Sequence, residues 1–159
     1  MVAHAEETMG ILGGHGCLLV SGPLEKPNVM TIGWGLIGRL WSRPVFMVAV
    51  RQGWYTHEVI EQTGDFTVNI PKGGMESAVA HCGSVSGRNH DKFKDTGMTP
   101  VASKTVKSPI IAECSVHYEC KVVYKVDMIP ERLDGGLLNE FYQGGNHHTL
   151  YFGQILSVY

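Results

Sequence analysis

The 159-residue chain has no basic excess, no long apolar run and no paired-cysteine motif, and each absence excludes a class of function. Thirteen Lys and Arg stand against fifteen Asp and Glu, a formal net charge of −2, so no global positive field points to nucleic acid. No apolar run approaches the roughly 20 residues that a membrane span needs. The N-terminus carries Glu6 and Glu7 and no basic stretch, unlike a secretory leader. The cysteines, Cys17, Cys82, Cys114 and Cys120, form no Cys-x-x-Cys pair. Cys114 and Cys120 share one strand face but lie too far apart along it to bridge. Reduced thiols in a cytoplasmic protein are the simplest account. Eight histidines invite a metal reading, but no His-x-x-x-His or His-x-His occurs. His147 and His148 would point to opposite faces of a strand, so no metal site is expected.

Glycine is plentiful, 20 residues, which implies many turns. The length suits one domain, residues 1–159, with a substantial core. Residues 1–15 suggest only a short helical turn around Met9, Ile11 and Leu12. Six segments read as strands: 16–21, 28–35, 44–51, 65–71, 114–126 and 148–159. In 114–126, Cys114, Val116, Tyr118, Cys120, Val122, Tyr124 and Val126 line one face and Ser115, His117, Glu119, Lys121 and Lys125 the other. That alternation predicts one buried and one wet face, with Cys114 and Cys120 as small core residues. Helices are predicted over 54–62, ended by Gly64, and over 74–82, where Met75, Ala78, Val79 and Cys82 share a face. Residues 97–107 read as irregular. Residues 130–145 form a polar, Gly-rich excursion long enough for a functional loop or lid. Short strands joined by short loops, with helices inserted, make a mainly β, antiparallel barrel whose mouth can take a ligand.

The densest chemistry lies in Cys82–Phe93, Cys-Gly-Ser-Val-Ser-Gly-Arg-Asn-His-Asp-Lys-Phe. Gly83 and Gly87 free the backbone, Ser84 and Ser86 add neutral donors, and Arg88 and Lys92 add charge. Asn89 would cap a short helix through Lys94. Such a loop can cradle a phosphate, and it can equally be a polar surface loop. Two look-alikes fail. Gly33-Trp34-Gly35-Leu36-Ile37-Gly38 matches the dinucleotide fingerprint by letter, but only Arg39–Arg43 separate it from the next strand, which leaves no room for the required helix. Gly83-Ser-Val-Ser-Gly87 is not Gly-x-Ser-x-Gly, and no strand feeds directly into it.

Five blocks come in one order: Asn28-Val-Met-Thr-Ile-Gly-Trp34, Arg51 with Tyr55-Thr56-His57-Glu58, Phe66-Thr-Val-Asn-Ile-Pro71, Cys82–Phe93, and His148-Thr-Leu-Tyr-Phe-Gly153. Together they resemble the flavin reductase-like family with the FMN-binding split barrel, especially its flavoredoxin-like branch, from about Gly16 to the C-terminus. The resemblance implies a six-stranded antiparallel Greek-key split β-barrel and FMN bound at a homodimer interface. It further implies electron exchange with NAD(P)H as transient co-substrate or with a redox protein partner. By position, Asn28, Thr31 and Trp34 would approach the flavin. Arg51, Thr56, Ser86, Arg88 and Lys92 would serve the ribityl-phosphate end, and His148 would face the ring system. Trp34 on its own reads equally as a core tryptophan. Relatives usually continue past the last strand, so a C-terminal segment is expected to be absent here. Three functions stay open: an NAD(P)H-dependent flavin reductase, an FMN electron carrier for a partner, and a barrel for another planar ligand. Dimerisation is also suggested by the apolar stretches 44–50 and 110–112.

Overall fold

The computed structural model describes residues 2–159. Its elements run α1 (Ala5–Gly13), β1 (Cys17–Ser21), β2 (Asn28–Ile32), β3 (Gly35–Leu40), β4 (Arg43–Arg51), α2 (Tyr55–Thr63), β5 (Asp65–Ile70), α3 (Glu76–Ser84), α4 (Lys92–Thr96), β6 (Pro100–Val101), β7 (Ile110–Ile111), β8 (Val116–Asp127), α5 (Gly135–Phe141) and β9 (His148–Val158). Seven strands form one antiparallel sheet in the order β2-β1-β5-β8-β9-β4-β3, and β6 and β7 form a separate ribbon. β2, at one edge, and β4, next to the other, send Met30, Ile32, Phe46, Val48 and Val50 into the same core as Tyr118 and Tyr151. Distant strands can share one core only if the sheet curls around it.

The sequence-based count of six strands is one short. Residues 28–35 are not one strand: β2 stops at Ile32, and β3 starts at Gly35 and returns as β4. At Gly35 a Cβ would lie 2.8 Å from the Met47 carbonyl oxygen, so only glycine lets these backbones approach. The β3–β4 turn is Trp41-Ser42, with positive φ at both residues (52° and 59°). Two left-handed residues match the twist of a tight hairpin, but the type normally draws on Asn and Gly. Trp-Ser carries no such signature, which is why 39–43 read as a linker.

Strand β1 is buried on both faces. Cys17 and Leu19 enter the curled core; Leu18 and Val20 meet Val79 and Cys82 of α3 and Phe93 of α4 in a second core. That second core fixes the two short helices against the outside of β1 and β2. Helix α2 ends at Gly64, whose φ of 71° gives the expected left-handed cap. The predicted cap of the short helix moves from Asn89 to Asp91, which accepts the Lys94 N–H at 3.2 Å. Asn89 and His90 instead donate their N–H groups to the Ser86 carbonyl in a turn.

In β8 the predicted alternation holds for Val116, Tyr118 and Cys120, then fails at register shifts after Glu119 and Val122. Bulges slip the period, so Tyr124 is exposed. The predicted wet face is also covered at its start: His117 and Glu119 are buried. Glu119 accepts the N–H groups of Lys104 and Thr105 and the hydroxyl of Tyr159. Cys114 precedes β8 and packs in the second core. The stretches 44–50 and 110–112 are largely covered within the chain, Val45–Val50 in the sheet and Ile110 and Ile111 against the core, so they present no large apolar surface for dimerisation. No helix among the described residues is long and apolar enough to cross a membrane.

Candidate functional site

A cavity of about 330 Å³ opens between β2, the start of α2 and the 83–87 loop, lined by Thr31, Trp54, Thr56, Gly83, Ser86 and Lys92 among others. No carboxylate lines it. Lys92, first residue of α4, is only 6% exposed, and it is the only lysine or arginine buried among the described residues. Its ammonium donates to the Cys82 carbonyl at 2.9 Å, and two of its three protons remain uncommitted. Burial pushes its pKa below the ordinary lysine value.

The hydroxyls beside it keep their protons free. Thr56, buried in α2, accepts from Asn28 Nδ2 at 2.9 Å, so its own O–H remains a donor. Ser86 accepts the Arg88 N–H at 3.2 Å and is in the same state. Asn28 also reaches Ser21 Oγ at 3.4 Å, which fixes its amide at the start of β2. A Cβ at Gly87 would overlap Asn28 Oδ1, so the loop needs glycine there to close over β2. Thr31 donates to the Val79 carbonyl at 2.5 Å and ties β2 to α3.

The structure thus brings Thr31, Thr56, Ser86 and Lys92 around one cavity, with Asn28 hydrogen-bonded to Thr56 and lining a neighbouring cavity of about 340 Å³ that Lys92 also borders. Arg88 lies outside the first lining and borders the neighbouring cavity, exposed, in a bidentate pair with Glu58 of α2 and over the Tyr55 ring. The Arg88 hydrogen bond holds the Glu58 carboxyl below the usual carboxylate value. Arg51 is turned elsewhere. Its guanidinium donates to the Asn146 and Phe141 carbonyls at 3.0 and 3.2 Å, bracing the excursion after β8.

Trp34 and His148 form a second group. Trp34 is 42% exposed, not a core residue, and its ring lies 4.9 Å from His148 and 5.0 Å, edge-on, from Phe141. His148 opens β9, buried, with Nδ1 2.6 Å from the Tyr142 hydroxyl. Burial, with the charges of Arg51 and His147, pushes its pKa down to about 4, so the ring is neutral at neutral pH. Trp34, Phe141 and Tyr142 share an apolar cleft of about 560 Å³ with Leu36, Met47 and Leu137.

The sequence profile described as Flavin reductase like domain matches residues 12–159. The chain belongs to the flavin reductase-like family. An uncharacterized protein of Archaeoglobus fulgidus is 36% identical over 141 residues, covering 89% of this chain and 69% of the relative. Among solved structures, the flavoredoxin of Desulfovibrio vulgaris (Miyazaki F) superposes with a TM-score of 0.73 at 26% identity, covering 91% of this chain and 68% of that one. Flavoredoxin from Methanosarcina acetivorans gives 0.71 at 28% identity, with 91% and 67% covered. These likenesses put this flavin reductase-like chain on the flavoredoxin side of its family.

Several contributors escaped the sequence reading. The excursion at 130–145 is partly ordered: a 3₁₀ turn, Pro130–Arg132, is followed by α5, whose cap Asp134 accepts from Gly136 and Leu137. It delivers Phe141 and Tyr142 to Trp34 and His148. Asn146 accepts the Gly53 N–H at 2.7 Å and clips the excursion to the start of α2. His147 stacks on Tyr142, and its Nε2 is the only buried side-chain nitrogen or oxygen without a partner among the described residues. Only the length of the excursion signalled any of this.

Proposed function

We propose that this protein holds FMN and exchanges electrons through it, with NAD(P)H as hydride donor. The observation that carries the reading is the buried Lys92 ammonium in a cavity without carboxylates, beside two hydroxyls whose protons are uncommitted. A desolvated cation with spare donors costs free energy unless an anion meets it. A phosphate monoester with roughly two negative charges is such an anion. Lys92, Thr56 and Ser86 would hold the phosphate, with Arg88 contributing from the neighbouring cavity. The residues present therefore fit a flavin mononucleotide better than a neutral planar ligand.

Thr31 of β2 lines that cavity, and Asn28 at the start of the same strand would hold the Thr56 hydroxyl in place. Trp34 and the neutral His148 would form the wall for the ring system, which is flat and amphipathic and suits aromatic and apolar neighbours. When bound, the flavin supplies the redox chemistry by taking up a hydride. The chain's own task is to bind, orient and shield it. His148, lacking charge, would offer a hydrogen bond without an electrostatic bias, and Tyr142 fixes its ring. Arg51 acts indirectly in this reading, holding the Phe141–Asn146 segment against the site. A split barrel built on the seven-stranded sheet, and the homodimer, belong to the same reading. Exposed Leu36 (60%) and Leu137 (45%), both lining the apolar cleft, are the surface a second copy would cover.

A second reading, an FMN electron carrier that serves a redox protein, is favoured by the likeness to two flavoredoxins. One anaerobic experiment separates the two. The purified protein reconstituted with FMN should be yellow. NADH or NADPH should bleach it, and catalytic oxidation of the nucleotide should continue when free FMN is added. A yellow protein that neither nucleotide bleaches would leave the carrier. A protein that retains no flavin would overturn both.

A further inference from the structure

The histidine spacing in the sequence gave no reason to expect a metal, yet the fold assembles a ligand set from three separate segments. His81 lies in the last turn of α3, His90 in the 85–91 loop and Asp95 in α4. His81 Nε2 is 2.9 Å from Asp95 Oδ2, and His90 Nδ1 is 3.3 Å from the same oxygen. All three ligand atoms lie within 4.8 Å of one another. The two rings stand 6.0 Å apart at 82°, so each can aim a nitrogen at a common point.

We propose that His81, His90 and Asp95 bind a late first-row divalent cation, zinc first among them, with water at the remaining position. Zinc bonds of about 2.0–2.1 Å to a tetrahedral centre put neighbouring ligand atoms roughly 3.3 Å apart, close to the two imidazole–carboxylate distances of 2.9 and 3.3 Å. Two imidazoles and one carboxylate favour zinc and its neighbours over magnesium or calcium, which prefer all-oxygen shells. His81 is half-buried and the other two are exposed, so an ion can enter without opening the fold. Without the ion, Asp95 is shared by two imidazoles through hydrogen bonds. With it, the imidazole protons facing the ion leave and three bonds to one centre replace them.

The consequence is a staple. The ion would join the end of α3 to α4 across the loop whose other side faces Lys92 and the phosphate cavity. The metal site itself does not depend on the flavin reading, because none of its three ligands lines that cavity. Binding to the folded state alone raises the thermal midpoint as metal is added.

The test uses the full chain, stripped with a chelator and without added flavin, titrated with Zn²⁺ or Mg²⁺ alone at neutral pH by calorimetry. The expected result is one strong Zn²⁺ per chain, no comparable Mg²⁺ binding, and a higher thermal midpoint with Zn²⁺. Loss of a mere outer partner costs metal sites about 10–100-fold. His81→Ala and His90→Ala should each weaken zinc by at least about tenfold and abolish the thermal gain, whereas His15→Ala should change neither. The replaced side chains are at least partly solvent-facing, and the melting curves of the metal-free variants report whether they fold. The cobalt-substituted protein should show the visible bands of a four-coordinate site. Failure to bind Zn²⁺, or binding that both variants retain in full, would overturn the proposal and leave a hydrogen-bonded clip.

Discussion

At the scale of single residues, the site is a set of groups held in unusual states by their surroundings. Lys92 is desolvated without a counter-charge, and His148 is kept neutral by burial and by Arg51. The second state has a consequence for pH. An exposed histidine in the unfolded chain titrates near 6.5, and His148 in the folded protein near 4. Between those values the unfolded state binds more protons, so stability falls as pH drops from 6.5 towards 4 and levels off below. The full difference corresponds to about 3 kcal/mol as an upper bound. Denaturant unfolding of the flavin-free protein should show this decline, and His148→Gln should flatten it. A pH dependence unchanged by the substitution would place the titration elsewhere. The 82–93 loop stood out because its polar groups cluster in sequence, whereas Asn28, Thr31 and Thr56 were singled out only by the family resemblance. Side-chain partners were not legible. Glu58 pairing with Arg88, and Arg51 turning to the Asn146 carbonyl, depend on side-chain reach across elements, which no local pattern encodes.

Elements were legible where one physical rule governed them. Helix α3 follows from its apolar face and α2 from Gly64; β1, β4 and β5 follow from short apolar runs bounded by turns. Reading failed where two rules competed. The Trp41-Ser42 turn adopts an unfavoured conformation because the strands on either side dictate it, and the β8 bulges slip a pattern that looked regular. Gly153 shows the same limit. It lies in β9 like any strand residue, yet a Cβ there would lie 2.5 Å from Phe66 Cζ and 2.8 Å from Cys120 Cβ. Neither neighbour can yield easily, since both are fully buried. Gly153→Ala should therefore cost about 1–3 kcal/mol by overpacking, read as a lower urea midpoint with an unchanged slope. A variant as stable as the parent would mean that β9 shifts freely against β5 and β8.

At the scale of the whole molecule, one curled sheet faces inward to a single core while its outer side carries α3 and α4. The cavity at Lys92 lies where those helices meet β2, and the Trp34–His148 group lies where β9 begins. The apolar surface between Leu36, Leu137 and Phe141 remains open in the single chain. Two copies are expected to cover it, which light scattering at micromolar concentration checks; a monomeric mass with flavin bound would contradict that expectation. The cavity and the wall act together only if one ligand spans both, anchored by its charged end. The most direct test compares FMN with riboflavin, which shares the ring and ribityl chain and lacks the phosphate. Lys92→Met keeps the buried stem and removes the charge. A hydrogen bond to a charged group is worth roughly 1.5–3 kcal/mol. FMN affinity should therefore fall about ten- to a hundredfold, with riboflavin affinity little changed and Lys26→Met altering neither. Equal losses for the two ligands, or none for either, would contradict the assignment of this cavity to the phosphate.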